Sequence, residues 1–214
     1  GKKRALSRVP PDIDFGDSLP ESRDLGGIEQ GVEAAAPTAQ HRHFTAQNQK
    51  TCLRIGTRHF AKGLAVAQLR LPVDRIEART HFNLDADKVY LLFGAAKLTD
   101  ERKGAAYLKE ACRILKEKHP ELDDRIELLL MGKAQEDILG YFPYPTRSFG
   151  YLSSESELVK AYSAATLFVI PSLEDNLPNS IMESMACGTP CVGFRNGGIP
   201  EMIDHKENGY VADY

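Results

Sequence analysis

The sequence predicts an α/β fold over residues 73–214: a parallel sheet with helices on both faces, preceded by an irregular segment over residues 1–72. Three observations carry that prediction. From Val73 onward, short apolar runs rich in β-branched and aromatic residues alternate with segments of helical period. At Pro72 both pattern and charge break: residues 1–72 carry eleven Lys or Arg against seven Asp or Glu, the remainder sixteen against twenty-three. Lastly, an acidic loop, Pro171 to Pro178, leaves one apolar run and feeds a helix, as a strand-to-helix crossover does in a doubly wound sheet.

The elements follow in order. Arg75 to Phe82 reads as a short helix ending near Asn83, and Val89 to Gly94 as the first strand. Gly104 to Lys118 places Leu108, Ala111, Cys112 and Leu115 on one face of a helix. A second strand runs from Arg125 to Gly132, where a glycine marks the turn. Strand Arg147–Leu152 precedes helix Glu155–Ala165, strand Thr166–Ile170 precedes helix Asn179–Cys187, and strand Pro190–Phe194 precedes a helical turn over Pro200–Asp204. Gly209 to Ala212 reads as an edge strand. Strands alternating with helices in this way predict a Rossmann-like half.

Residues 1–72 contain no Tyr or Met, and turn formers punctuate them at Pro10-Pro11, Gly26-Gly27, Gly31 and Pro37. Two readings stand: a disordered leader, or sequence out of the natural coding frame, because the family resemblance set out below begins abruptly at Pro72-Val73-Asp74-Arg75. His41, His43, Cys52 and His59 fall in this segment and lack the spacing of a zinc site, so no metal is expected. The four cysteines form no C-x-x-C pair, which argues against a disulfide framework. A net charge of −3 gives no electrostatic footprint for nucleic acid. No apolar run approaches the roughly 18 to 20 residues that span a bilayer, and no signal layout opens the chain, so a cytoplasmic protein is expected.

Functional chemistry concentrates in Pro171-Ser172-Leu173-Glu174-Asp175-Asn176-Leu177-Pro178 and the helix behind it. A loop at the C-terminal end of a parallel strand lies where open α/β sheets bind ligands, and the following helix N-terminus offers free N–H groups to an anion. Asp175 and Glu183 can accept hydrogen bonds from sugar hydroxyls. Each acid alone also reads as an ordinary first-turn charge. After the first strand, Arg102 and Lys103 stand just before a helix, where the dipole disfavours cations. They fit either a solvated surface pair or a phosphate site.

The strand, the Pro-Ser start, the paired acids, the run Met185-Ala186-Cys187-Gly188-Thr189-Pro190 and the later Gly197-Gly198-Ile199-Pro200-Glu201 together resemble the donor-sugar loop of retaining glycosyltransferases of family four, which have the GT-B fold. The resemblance covers residues 73–214 and implies a nucleotide-sugar donor-binding domain of the C-terminal half of that fold. It implies Asp175, Glu183 and Lys103 as the catalytic set: Lys103-Gly104 on the donor diphosphate, Asp175 on the sugar hydroxyls, Glu183 on the ribose. Arg102, Gly150, Tyr151, Glu174, Asn176, Leu177 and Pro178 are implied as donor-binding residues, the Phe149-Gly150-Tyr151-Leu152 turn packing on the base. The sequence departs from the family in two places. Asp175 replaces the usual Glu, so Glu174 competes for the sugar contact, and Ala95 replaces the usual Arg, leaving Arg102 as a substitute.

No cofactor or metal is implied beyond the nucleoside-diphosphate sugar, and UDP, GDP and ADP sugars all stay open. The implied acceptor is a glycan or lipid-linked sugar of polysaccharide biosynthesis, with peripheral association at the inner face of the membrane. The family's N-terminal acceptor domain and C-terminal crossover helices have no counterpart in the chain, so it is expected to be truncated and inactive in transfer on its own. Two rival classes stay open: a sugar-nucleotide 2-epimerase, which has the same GT-B fold but against which the Pro171-Ser172 start and the Met185-Ala186-Cys187-Gly188 run favour the transferase, and a non-catalytic nucleotide-binding module.

Overall fold

The computed structural model describes residues 72–133 and 136–213. The readings made for residues 1–71, the leader and its histidines among them, lie outside the described residues.

Six strands form one sheet, all pairs parallel, in the order β3-β2-β1-β4-β5-β6. They are β1 Val89–Lys97, β2 Ile126–Lys133, β3 Thr146–Ser148, β4 Leu167–Ile170, β5 Cys191–Phe194 and β6 Gly209–Ala212. The helices are α1 Arg75–His81, α2 Ala105–Lys118, α3 Glu155–Ala164, α4 Asn179–Ala186 and α5 Ile199–Met202. Alternate residues of β1 feed two separate cores, as the period of two requires. Leu91 and Phe93 pack with Leu108, Cys112 and Leu115 of α2, whereas Tyr90 and Leu92 pack with Ala78 of α1, Tyr162 of α3 and Met185 of α4. Both faces are thus covered, which is why the strands read as continuous apolar runs.

Local chemistry sets several boundaries. Asp74 caps α1, its carboxylate accepting from the N–H of Ile76 at 2.9 Å and of Glu77 at 3.2 Å. Beneath α1, the buried Arg79 guanidinium donates to the carbonyl of Ala164 and to Thr166 Oγ1, both at 3.0 Å, fastening that helix to the α3–β4 junction. The first strand runs three residues past the predicted Gly94, because pairing resumes at Lys97 with Lys133 after a register shift. The third strand is shorter than the predicted Arg147–Leu152. The chain turns at Gly150, whose φ of 66° is a left-handed conformation that ends the extended run. The final short helix begins at Ile199, one residue before the predicted start, and Gly209 to Ala212 is the edge strand expected.

Candidate functional site

Strand β1 pairs with β2 on one side and β4 on the other, so the crevice between the C-terminal ends of β1 and β4 is the topological switch point of the sheet. Two loops meet there, residues 98–104 after β1 and 171–178 after β4. The first tightens into a 3-10 turn, Glu101–Lys103, because the Asp100 carboxylate accepts from the Arg102 N–H at 3.1 Å. Gly104 then starts α2 at a φ of 74°, and a Cβ placed on it would stand 1.9 Å from the Pro171 carbonyl oxygen. The glycine therefore lets the two loops touch. The N–H of Leu173 donates to the Arg102 carbonyl at 2.8 Å and joins them further.

Across that junction the Lys103 ammonium reaches Asp175 Oδ2 at 2.9 Å, with Lys103 31% exposed and Asp175 18%. The pair joins the two residues for which the family resemblance implies contacts to the diphosphate and the sugar. It also answers the objection to a cation before α2, since the carboxylate offsets the unfavourable dipole. Arg102 is placed differently. Its guanidinium lies out in solvent and forks onto Asp100, at 2.8 and 3.2 Å, holding that carboxyl below its ordinary range. The structure thus gives the crevice one cation from this loop, Lys103, and turns its neighbour back onto its own turn.

The loop carrying the acid is held from behind by the turn after β5. The Gly198 N–H donates to the Asp175 carbonyl at 3.2 Å, and the Asn196 side-chain amide donates to the Leu173 carbonyl. Contact is so close that a Cβ on Gly198 would stand 1.6 Å from the Asn176 carbonyl oxygen. Leu177 seats itself against the core, while Glu174 and Asn176 are exposed and Pro178 caps α4 with no side-chain hydrogen bond. The α4 amino end is therefore available to an anion.

Glu183 sits in the second turn of α4, half-buried, and its Oε2 accepts a hydrogen bond from the Tyr162 hydroxyl at 2.9 Å. Burial, together with the adjacent Glu183 carboxylate, holds the Tyr162 phenol neutral well above its ordinary range, so it remains a donor. Gly150 and Tyr151 follow β3, two strands from β1. Tyr151 is 63% exposed with the Lys133 ammonium 5.6 Å from its ring centroid, and the space at Gly150 is open. Phe149 turns inward and stacks on Phe82 with centroids 4.2 Å apart.

Sequence reasoning missed Tyr162, Asn196 and Asp100. Asp100 carried a readable signal, a capping residue ahead of Glu101-Arg102-Lys103, whereas Tyr162 and Asn196 act through contacts 21 and 23 residues away along the chain. Among the described residues, no group of three or more His, Cys, Asp or Glu is placed to hold a metal ion. The thiols of Cys112, Cys187 and Cys191 are buried. No helix among the described residues is long and apolar enough to cross a membrane.

Residues 87–214 match the family model described as glycosyl transferases group 1. Among curated proteins, the amylovoran biosynthesis glycosyltransferase AmsK of Erwinia amylovora is 29% identical over 56% of this chain and 31% of its own length. The D-inositol 3-phosphate glycosyltransferase of Thermobifida fusca is 30% identical over 66% of this chain and 35% of its own length. The chain spans about a third of the length of these relatives. Among solved structures, the C-terminal domain of the group 1 glycosyl transferase LpcC from Francisella tularensis superposes with a TM-score of 0.53 at 19% identity, over 68% of this chain and 78% of that one. Sucrose-phosphate synthase from Thermosynechococcus elongatus gives a TM-score of 0.56 at 21% identity, over 87% of this chain and 52% of that one. Anabaena HepE, solved in complex with UDP and glucose, gives 0.51 at 17% identity, over 69% and 41%. The fold is thus Rossmann-like, that of the C-terminal half of the GT-B fold, and the chain belongs to the group 1 glycosyl transferases.

Proposed function

We propose that this chain is the donor-binding part of a retaining glycosyltransferase of the family-four type, one that takes a glycosyl group from a nucleoside-diphosphate sugar to a glycan or lipid-linked acceptor. The observation that carries the reading is the Lys103–Asp175 contact at the switch point, which sets a cation and a hydroxyl acceptor side by side, as a ligand with a diphosphate joined to a sugar requires. In this reading, the Lys103 ammonium and the uncapped amino end of α4 stabilise the departing diphosphate. Asp175 accepts from the sugar hydroxyls, with Glu174 and Asn176 at the open side of the same loop. Leu177 and Pro178 fix the entry to α4. Glu183 accepts from the ribose hydroxyls, and Gly150 with the exposed Tyr151 borders the base. The chemistry is electrostatic and positional and draws on no metal or further cofactor. Work at the inner face of a membrane, in polysaccharide biosynthesis, fits a lipid-linked acceptor.

Titration of the protein with UDP, GDP and ADP and with their sugar conjugates tests the reading. Saturable binding of one diphosphate series, tighter than that of its bare nucleoside, is expected. Failure of every series to bind at millimolar concentration would refute it. Incubation of the bound donor with and without candidate acceptors then separates transfer from binding alone.

A further inference from the structure

We propose that Tyr162 is a positioning residue for the nucleotide, fixing the Glu183 carboxylate so that its second oxygen is presented to the ribose. The inference rests on the proposed reading of Glu183 as the ribose acceptor. Tyr162 is only 2% exposed and is anchored at both ends. Its ring meets Phe168 of β4 edge-on at 5.5 Å, and its carbonyl accepts from Thr189 Oγ1 at 2.7 Å, at the turn that ends α4. The phenol therefore has little freedom, and its hydroxyl ends on Glu183 Oε2.

Because an ionised carboxylate only accepts, the shared proton belongs to the tyrosine. Oε2 is thereby committed, while Oε1 bonds no other side chain among the described residues. A flexible glutamate on a half-exposed helix face samples several rotamers, each lost on binding a ligand. A rigid buried donor removes much of that freedom beforehand. A buried phenol that merely needed a partner could have used a backbone carbonyl; here it bonds the half-buried Glu183 side chain of α4.

The test compares the full chain, Tyr162→Phe, Glu183→Ala and the double variant for affinity toward UDP against 2′-deoxy-UDP, and likewise for the GDP and ADP pairs. The parent is expected to prefer ribose. Tyr162→Phe should lower that preference about three- to tenfold, the loss of one hydrogen bond's worth of orientation, and should add nothing further in the Glu183→Ala background. Thermal unfolding monitors the fold in every variant. Retention of the full ribose preference by a folded Tyr162→Phe protein overturns the positioning role while leaving Glu183 in place. An undiminished effect of Tyr162→Phe in the Glu183→Ala background also overturns it, by showing a route that does not pass through the carboxylate. A parent with no preference for ribose removes the reading of Glu183 and the inference with it.

Discussion

Replacing Gly198 by alanine probes whether the acidic loop works only where the structure holds it. At φ −89° and ψ 1° the Gly198 backbone lies in the bridge region, which non-glycine residues also adopt, so the substitution does not impose a left-handed residue. What it adds is one methyl, 1.6 Å from the Asn176 carbonyl oxygen and 2.8 Å from Leu177 Cδ2. Relief to a tolerable 3.0 Å requires the two backbones to part by at least about 1.4 Å, and the Gly198 N–H bond to the Asp175 carbonyl goes with it. Overpacking of this kind costs about 1–3 kcal/mol of stability. A misplacement near 1 Å costs about a hundredfold in a positioned reaction. Calorimetric titration with the preferred nucleotide sugar, beside thermal unfolding, should show a folded, modestly destabilised protein with donor affinity lowered at least tenfold. Gly140→Ala is the control, since a Cβ there meets nothing within 4 Å, and it should leave donor affinity unchanged. Wild-type affinity in a folded Gly198→Ala protein would refute the placement of the loop.

Other perturbations have equally definite outcomes. Lys103→Ala should lower affinity for a nucleoside diphosphate far more than for the nucleoside, by a margin that shrinks with added salt, and should change stability by no more than about 1 kcal/mol because the pair is partly exposed; equal losses for both ligands would make the side chain structural. Glu183→Ala should weaken donor binding by about 1.5–3 kcal/mol, as for a hydrogen bond to a charged group, and an unchanged titration would remove the ribose assignment. At alkaline pH the protein should lose stability. Burial raises the Tyr90, Tyr141, Tyr144 and Tyr162 phenols and pushes the Cys112 thiol up to about 12. The unfolded chain then releases protons near pH 8.5 to 10 that the folded chain retains. Stability is thus full below about pH 8.5 and falls above it, and urea midpoints that hold or rise between about pH 8 and 10.5 would contradict this.

Much of this architecture was legible because burial on both faces leaves a plain signature. The runs Val89 to Phe93 and Leu167 to Ile170 could only be interior strands, and Leu108, Ala111, Cys112 and Leu115 sit at helical spacing on a buried face. The reading failed where one backbone angle outweighed composition. Phe149 and Leu152 made Arg147–Leu152 look extended, yet Gly150 turns the chain, and Phe149 leaves the strand to stack on Phe82. Of the site, the acids and Lys103 could be named from their neighbours along the chain. Their pairing could not, because the ion pair joins residues 72 apart and depends on strand order. The fate of Arg102 was equally hidden: beside Lys103 in sequence and identical in charge, it is captured by Asp100.

Strand order also explains why a cation can wait at the amino end of α2. The order β3-β2-β1-β4 makes β1 and β4 neighbours, so the loops that follow them are pressed together, and Gly104 and Gly198 let the backbones close from two sides. With the loop so fixed, the short Asp175 side chain reaches Lys103 directly. Each charge then stabilises the other at a site where each would otherwise be poorly placed, the lysine against the helix dipole and the carboxylate in a half-buried loop. In the proposed reading a donor divides that pair between its own two chemistries, diphosphate to the ammonium and sugar hydroxyls to the carboxylate. Part of each group's cost of leaving water is already met before the donor arrives, and the exchange needs no large movement of either loop. In that reading a nucleoside diphosphate without its sugar satisfies only one partner, so the contact that joins the two loops would also favour the complete donor over the spent one.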